Sequence, residues 1–411
     1  MTTAALLLAV ALAVAAPGPE PTALPAGVDL TTRFRKLGLS PRAQGGRDVC
    51  SLFAVTALAE FETGDGPVPT RQGGGGGGGL SEEFLIWAAD AATGRRGDQA
   101  MFYEAVRGLE TLGVCRRELM PFADASDPRR RPAANALADA KHRAGCWEVH
   151  WVRRWNLARP LDDAELRGVK EALAAGHPVA CGFRWPKTLR GDAIMDVPPP
   201  QDVFDGHSVA VVGYDDDPAR PGGGSFVFRN SNGPLWGEHG YGRLSYAYAR
   251  AYANDALWLR LVPRASATPV ERFEAEALPV VGRDGADAAP QDMADFGGRM
   301  WSGGRQLFVR ARDGASVTLG ISVRRAGRYR LRVRATAAPD FATVRFAVDG
   351  KALGPAFSLY SGRVSPSGPL DVGPVTLAAG RHALRATATG KDPASSGFFF
   401  GLDAVELLPP G

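Results

Sequence analysis

Lysine is scarce in this sequence: six lysines stand against 42 arginines in 411 residues. The arginines are spread along the chain with no block gathering them, and the net charge is only +4, so a nucleic-acid footprint is excluded. Cysteine is limited to Cys50, Cys115, Cys146 and Cys181. If one of these works as a free thiol, at most one bridge can form among the other three. Past the first residues no segment is long and apolar enough to cross a bilayer, and short internal repeats are absent.

What is present is an ordinary soluble composition, 45% apolar and 22% charged, on a length that predicts two or three domains. The opening carries a short apolar run, Ala4–Ala16, closing on Ala13-Val14-Ala15. Such a run before a small-x-small site reads as a secretory signal over 1–16, although no Lys or Arg precedes it. The expected location is therefore secreted, periplasmic or extracellular. Residues 17–28 are rich in Pro and Ala and are predicted to be disordered.

A first domain is predicted over 29–262. After Asp48, the residues Val49, Phe53, Ala57 and Phe61 recur four apart and predict a helix with one apolar face. Seven glycines, Gly73–Gly79, make a loop that cannot pack, and Ser81 is placed to cap a second helix. Helices around 98–112 and 162–176 precede short apolar strands at 178–184, 207–214, 224–230 and 256–262, the texture of an α+β domain. A linker follows at 263–270. Residues 271–411 alternate in strand fashion, as at Val317, Leu319, Ile321 and Val323, with an Asp349-Gly350 hairpin turn, and predict an all-β sandwich.

Cys50 falls in the first turn of its helix, where unpaired N–H groups and the positive dipole end stabilise a thiolate. Gln44 stands six residues earlier across Gly45-Gly46, placed to join the Cys50 N–H in an oxyanion hole. Of the six histidines, His142, His150, His177 and His239 have ordinary settings and His382 lies in the second domain. His207 differs, because it opens the buried strand Ser208-Val-Ala-Val-Val-Gly-Tyr214 and would be held rigidly, as a base should be. Asn230 ends another strand and can accept from one imidazole nitrogen, leaving the other for sulfur.

Taken together, Gln44 with Cys50-Ser-Leu-Phe-Ala, Gly206-His207-Ser-Val-Ala-Val-Val-Gly-Tyr, and Asn230-Ser-Asn-Gly-Pro-Leu-Trp236-Gly-Glu-His-Gly-Tyr resemble the three motifs of papain-like cysteine peptidases, in the family's order. The resemblance covers roughly 35–262. It implies a two-lobed fold, helical then β-rich, with Cys50 as nucleophile, His207 as base, Asn230 as its orienter, Gln44 as oxyanion donor and Trp236 as support. Three positions depart from the pattern: Ser51 follows the nucleophile in place of Trp, Arg47 replaces a Cys, and Asn232 replaces a Trp that covers the Asn–His bond. The resemblance also implies a long inhibitory prosegment, for which the residues before the first motif leave no room.

The second domain opens on Glu271-Arg-Phe-Glu274-Ala-Glu276 and closes on Phe400-Gly-Leu-Asp403. It resembles galactose-binding-like sandwiches of the carbohydrate-binding-module type, which implies a glycan or cell-surface ligand and a structural calcium at Glu274, Glu276 and Asp403. The aromatic residues Trp301, Phe308, Tyr329 and Tyr360 fit core and sugar contact equally. Cys181 sits in an apolar run, which leaves Cys115 with Cys146 as the expected disulfide. Catalysis is expected to need no cofactor. The expected activity is peptide hydrolysis through a thioester acyl-enzyme, and the alternative is a secreted binding protein on a decayed papain-like scaffold.

Overall fold

The computed structural model describes residues 23–64, 79–188, 194–263 and 269–410. The expected signal, most of the polyglycine run and most of the linker lie outside the described residues. The first domain contains helices α1 (Thr31–Lys36), α2 (Cys50–Thr63), α3 (Glu82–Thr93), α4 (Phe102–Leu112), α5 (Ala134–Lys141), α6 (Asp163–Ala174) and α7 (Tyr246–Tyr252). Its strands are β1 (Gly27–Asp29), β2 (Trp147–Arg153), β3 (Val179–Pro186), β4 (Val203–Asp216), β5 (Gly224–Arg229), β6 (Tyr241–Ser245) and β7 (Ala253–Leu261). These form one sheet in the order β2-β7-β3-β4-β5-β6, with β1 added to β4.

The strand period of two assigns the two faces of this sheet. Ala180, Ala210, Val212, Leu257 and Leu259 point to α2, whereas Val179, Cys181, Phe183, Val209 and Val211 join the side chains of α6 and α7 on the other face. The sequence predicts one apolar face for α2, but Ser51 through Phe61 are all buried. The reason is position: α2 lies between the sheet and helices α3 and α4, so it has no solvent side. Ser81 caps α3 as expected, accepting from the Phe84 N–H at 2.9 Å. Helices α3 and α4 cross so closely at Gly108 that a Cβ there would lie 2.5 Å from the Ala89 nitrogen.

Two expectations are corrected here. Residues 23–28 of the segment predicted to be disordered are ordered along β4: the Asp216 N–H donates to the Ala26 carbonyl (2.7 Å) and the Tyr214 hydroxyl to that of Pro25 (2.8 Å). Backbone pairing, which composition does not reveal, fixes them. The Cys115–Cys146 bridge is not formed, and all four cysteines are free. Cys115 is buried among Phe84, Met120 and Ala136, while the Cys146 sulfur faces the carbonyls of His142 and Ala144 (3.6 Å each).

The second domain is built from β8 (Glu271–Glu274), β9 (Val280–Asp284), β10 (Asp287–Asp292), β11 (Arg305–Arg310), β12 (Ser316–Val323), β13 (Gly327–Ala337), β14 (Ala342–Val348), β15 (Lys351–Ser358), β16 (Ser365–Leu377), β17 (Gly380–Lys391) and β18 (Phe400–Leu408). One sheet runs β10-β11-β18-β13-β16 with β8 on β18, the other β15-β14-β17-β12-β9, and alternate side chains from both close a single core. This sandwich touches both halves of the first domain. Arg330 pairs with Glu148 (2.7 Å), Arg159 with Asp392 (3.1 Å), and the Gly362 N–H donates to the Trp155 carbonyl (2.8 Å). On the helical side, Tyr103 packs against Met293, Met300 and Trp301.

Candidate active site

The site begins with the segment before α2. Arg47, where the resemblance leads one to expect cysteine, is 5% exposed and forks onto Asp98 (2.7 and 3.0 Å), reaches Glu83 (2.7 Å) and the Ala123 carbonyl (2.8 Å), and lies over the Phe122 ring. It thereby ties the start of α2 to α3 and to two loops. Removing this guanidinium takes the short ion pairs from Asp98 and Glu83 and leaves Glu83 with Arg130 at 3.6 Å, so Arg47→Ala is expected to cost about 3–5 kcal/mol of stability in denaturant titration. Arg47→Lys should recover only part of it, because an ammonium cannot fork.

Cys50 is the first residue of α2 and is partly exposed. Helix α2 packs against β4, the strand that carries His207 and Ser208, and Ser208 together with the helix-start N–H groups favours the thiolate form of Cys50. Ser208 directly follows His207 on β4, so the thiol from the helical half meets the histidine strand of the sheet half. The His207 Nε2 lies 2.7 Å from Asn230 Oδ1, which also accepts the Ser231 N–H (2.9 Å). With Nε2 engaged, Nδ1 is the nitrogen left for proton transfer. Asn230 follows β5 directly and is 2% exposed, its N–H donating to the Gly240 carbonyl (2.9 Å).

Gln44 is held in the same cluster. Its Nε2 donates to the Arg47 carbonyl (2.6 Å), its Oε1 accepts the Ser231 hydroxyl (2.5 Å), and its backbone N–H donates to the Ser231 carbonyl (2.8 Å). The amide nitrogen carries two hydrogens, and the second is the donor an oxyanion would use. His207 and Asn230 are thus joined directly, Gln44 is joined to the residue after Asn230, and Cys50 opens the helix that packs on the histidine strand. Trp236 packs on Phe228 (centroids 5.8 Å), which packs on Trp185, so two rings separate it from the histidine.

The electrostatics depart from the sequence reading. Burial pushes the Cys50 thiol up, and the hydrogen bonds from Ser208 and the helix start only pull it part of the way back. Burial likewise pushes His207 down, against the bond to Asn230. Desolvation thus works against both charged forms, the thiolate and the imidazolium, and for the thiol it outweighs the helix-start N–H groups. One side chain at the site belongs to none of the sequence motifs: Trp185, whose ring centroid lies 4.5 Å from that of His207. The signal for Trp185 is the alternation Val179, Cys181, Phe183, Trp185, continued one residue past the predicted strand end.

The expected calcium set is not assembled. Asp403 accepts the Ser302 N–H (2.8 Å), and among the described residues no three His, Cys, Asp or Glu side chains close on a metal. Glu274 and Glu276 each keep one buried carboxylate oxygen without a partner, but two carboxylates alone do not make a calcium cage. Of the aromatic candidates for sugar contact, Trp301, Tyr329 and Tyr360 are buried and Phe308 packs against Phe341 and Phe399.

No family model matches the chain, and no curated protein matches it. Among solved structures it is similar to papain-like cysteine proteases. Xylellain, a cysteine protease from Xylella fastidiosa, is 27% identical over 59% of this chain and 88% of its own, at a TM-score of 0.45. The digestive procathepsin L 3 of Tenebrio molitor is 20% identical over 59% and 72%, at 0.43. The cysteine protease and lectin-like domains of Cwp84, a surface layer associated protein of Clostridium difficile, are 13% identical over 93% and 78%, at 0.46. What the site can do follows from its own geometry.

Proposed function

We propose that the chain is a cysteine peptidase that cleaves peptide bonds through a thioester acyl-enzyme. The observation that carries this is the His207 ring, whose Nε2 is fixed by Asn230 Oδ1 at 2.7 Å on the strand against which the helix opened by Cys50 packs, with Gln44 tied to the same asparagine loop. Substrate binding places a carbonyl carbon against the sulfur. The thiol proton passes to His207 Nδ1 as the S–C bond forms, and the carbonyl oxygen takes the negative charge, facing the Cys50 N–H and the Gln44 amide. The imidazolium then protonates the departing amine and the C–N bond breaks. Water, deprotonated by His207, attacks the thioester, and the proton returns to the sulfur as it leaves.

A vinyl-sulfone affinity probe tests this reading. Labelling of Cys50 in the wild type, falling at least about tenfold in His207→Ala, is the expected result. Equal labelling of the two would leave the decayed-scaffold alternative, which the substitutions at Ser51 and Asn232 favour. No helix among the described residues is long and apolar enough to cross a membrane. The apolar opening run supports export, and the sandwich supports attachment to a glycan or cell surface, which would concentrate the peptidase near its substrates. Retention of the whole chain on immobilised glycans is the measurement for that second role, whose support is the resemblance of the sandwich alone.

A further inference from the structure

Asn230 accounts for the Nε2 of His207, but not for the flank of its ring. Trp185, at the end of β3, meets it edge-on at 61° and is itself 4% exposed. Phe228 backs Trp185 (5.7 Å, 81°), and Trp236 backs Phe228. The backbone locks this arrangement: β3 pairs with β4 with Phe183 opposite His207, and a register shift after Phe183 sets Trp185 opposite Phe204. Asn232, in the loop after Asn230, is exposed and bridges to Ala43, so that position offers no ring to cover the His207–Asn230 bond.

We propose that Trp185 is the positioning residue of His207: its indole fixes the imidazole plane and keeps water from the hydrogen bond to Asn230, a task that the asparagine loop leaves open at Asn232. The inference rests on the peptidase reading and deepens it. An imidazole with only one nitrogen anchored can still rotate about that bond, and a lateral ring removes this freedom. Excluding water also strengthens the bond that sets the tautomer.

The test compares Trp185→Leu and Trp185→Phe with the wild type in the full chain, by peptide turnover and by NMR of the His207 ring. Leucine is expected to lower kcat about tenfold or more with KM changed less than about twofold. It should also speed solvent exchange of the His207 Nε2 proton. Water reaching the ring should raise the His207 pKa from its depressed position, moving the acid limb of kcat to higher pH. Phenylalanine should restore both limb and exchange rate. If both variants lose thermal stability yet keep wild-type exchange and the wild-type limb, Trp185 is core packing and the proposal fails. Where the leucine variant does not fold, Trp185→Met takes its place: faster Nε2 exchange with a shifted limb supports positioning, and wild-type values of both refute it. Exchange at Nε2 is read without turnover, so absence of peptidase activity would overturn the parent reading and leave the ring contact still decided.

Discussion

Replacing Cys50 by alanine is expected to abolish peptide turnover, a fall on the order of 10⁴-fold or more in kcat/KM. Serine should do no better. A hydroxyl at that position is a far weaker acid than a thiol, and the burial that pushes the Cys50 thiol up would push an alkoxide further out of reach. The neighbouring substitutions separate the roles. Gln44→Ala removes one donor to the developing oxyanion and should cost about 10²–10³-fold in kcat with little change in KM, since the interaction strengthens only in the transition state. His207→Ala should approach the loss seen at Cys50. Steady-state kinetics on an unstructured peptide pool resolve this order, and hydrolysis surviving in Cys50→Ala would move the chemistry elsewhere in the molecule.

The second large effect concerns stability. Asp255 is 5% exposed on β7 and faces the glycine of the adjoining strand, Gly182. Burial pushes its carboxyl up to about 7, against the attraction of Arg153 and a hydrogen bond from the Gly182 N–H. Arg153 compensates weakly because it is committed to Glu165 (2.9 Å) and to the Asn156 and Asn254 carbonyls. In the unfolded chain the same group titrates at about 3.9. Below that value both states hold the proton and the residue is neutral to stability. Between about 4 and 7 only the folded state holds it, and the penalty for burying a charge grows, reaching roughly 4 kcal/mol above about pH 7. Asp255→Asn is therefore expected to be more stable than the parent at pH 8, with the gain shrinking on acidification and vanishing below about pH 4. Urea midpoints at several pH values measure it, and a difference independent of pH would show that the carboxylate is better solvated than its surroundings imply.

The groups proposed for catalysis were legible because each sits in a short motif whose local meaning survives folding. Cys50 opens a helix, His207 lies within a strand that begins four residues earlier than the sequence predicts, Asn230 directly follows one, and the chain order of the three supplied the rest. Trp185 was not legible in the same way, since its contact with His207 runs sideways across β3 and β4 and depends on a register shift that no local pattern announces. Cysteine spacing misled for a related reason: Cys115 and Cys146 remained as a pair by elimination, whereas a bridge requires a distance. The thiolate expectation counted the helix-start N–H groups but had no measure of desolvation, the larger effect here. Residues 23–28 looked unstructured by composition, yet the partners of their backbone groups lie some 190 residues away on β4.

The clasp between Gln44 and Ser231 carries a mechanical consequence. The amide that would receive the oxyanion belongs to the segment leading into α2, and it is fastened by two hydrogen bonds to the residue that follows Asn230 in the strand half. Charge acceptance and base alignment are thereby yoked across the cleft. Any opening of the two halves loosens both at the same moment, and a substrate that draws them together tightens both.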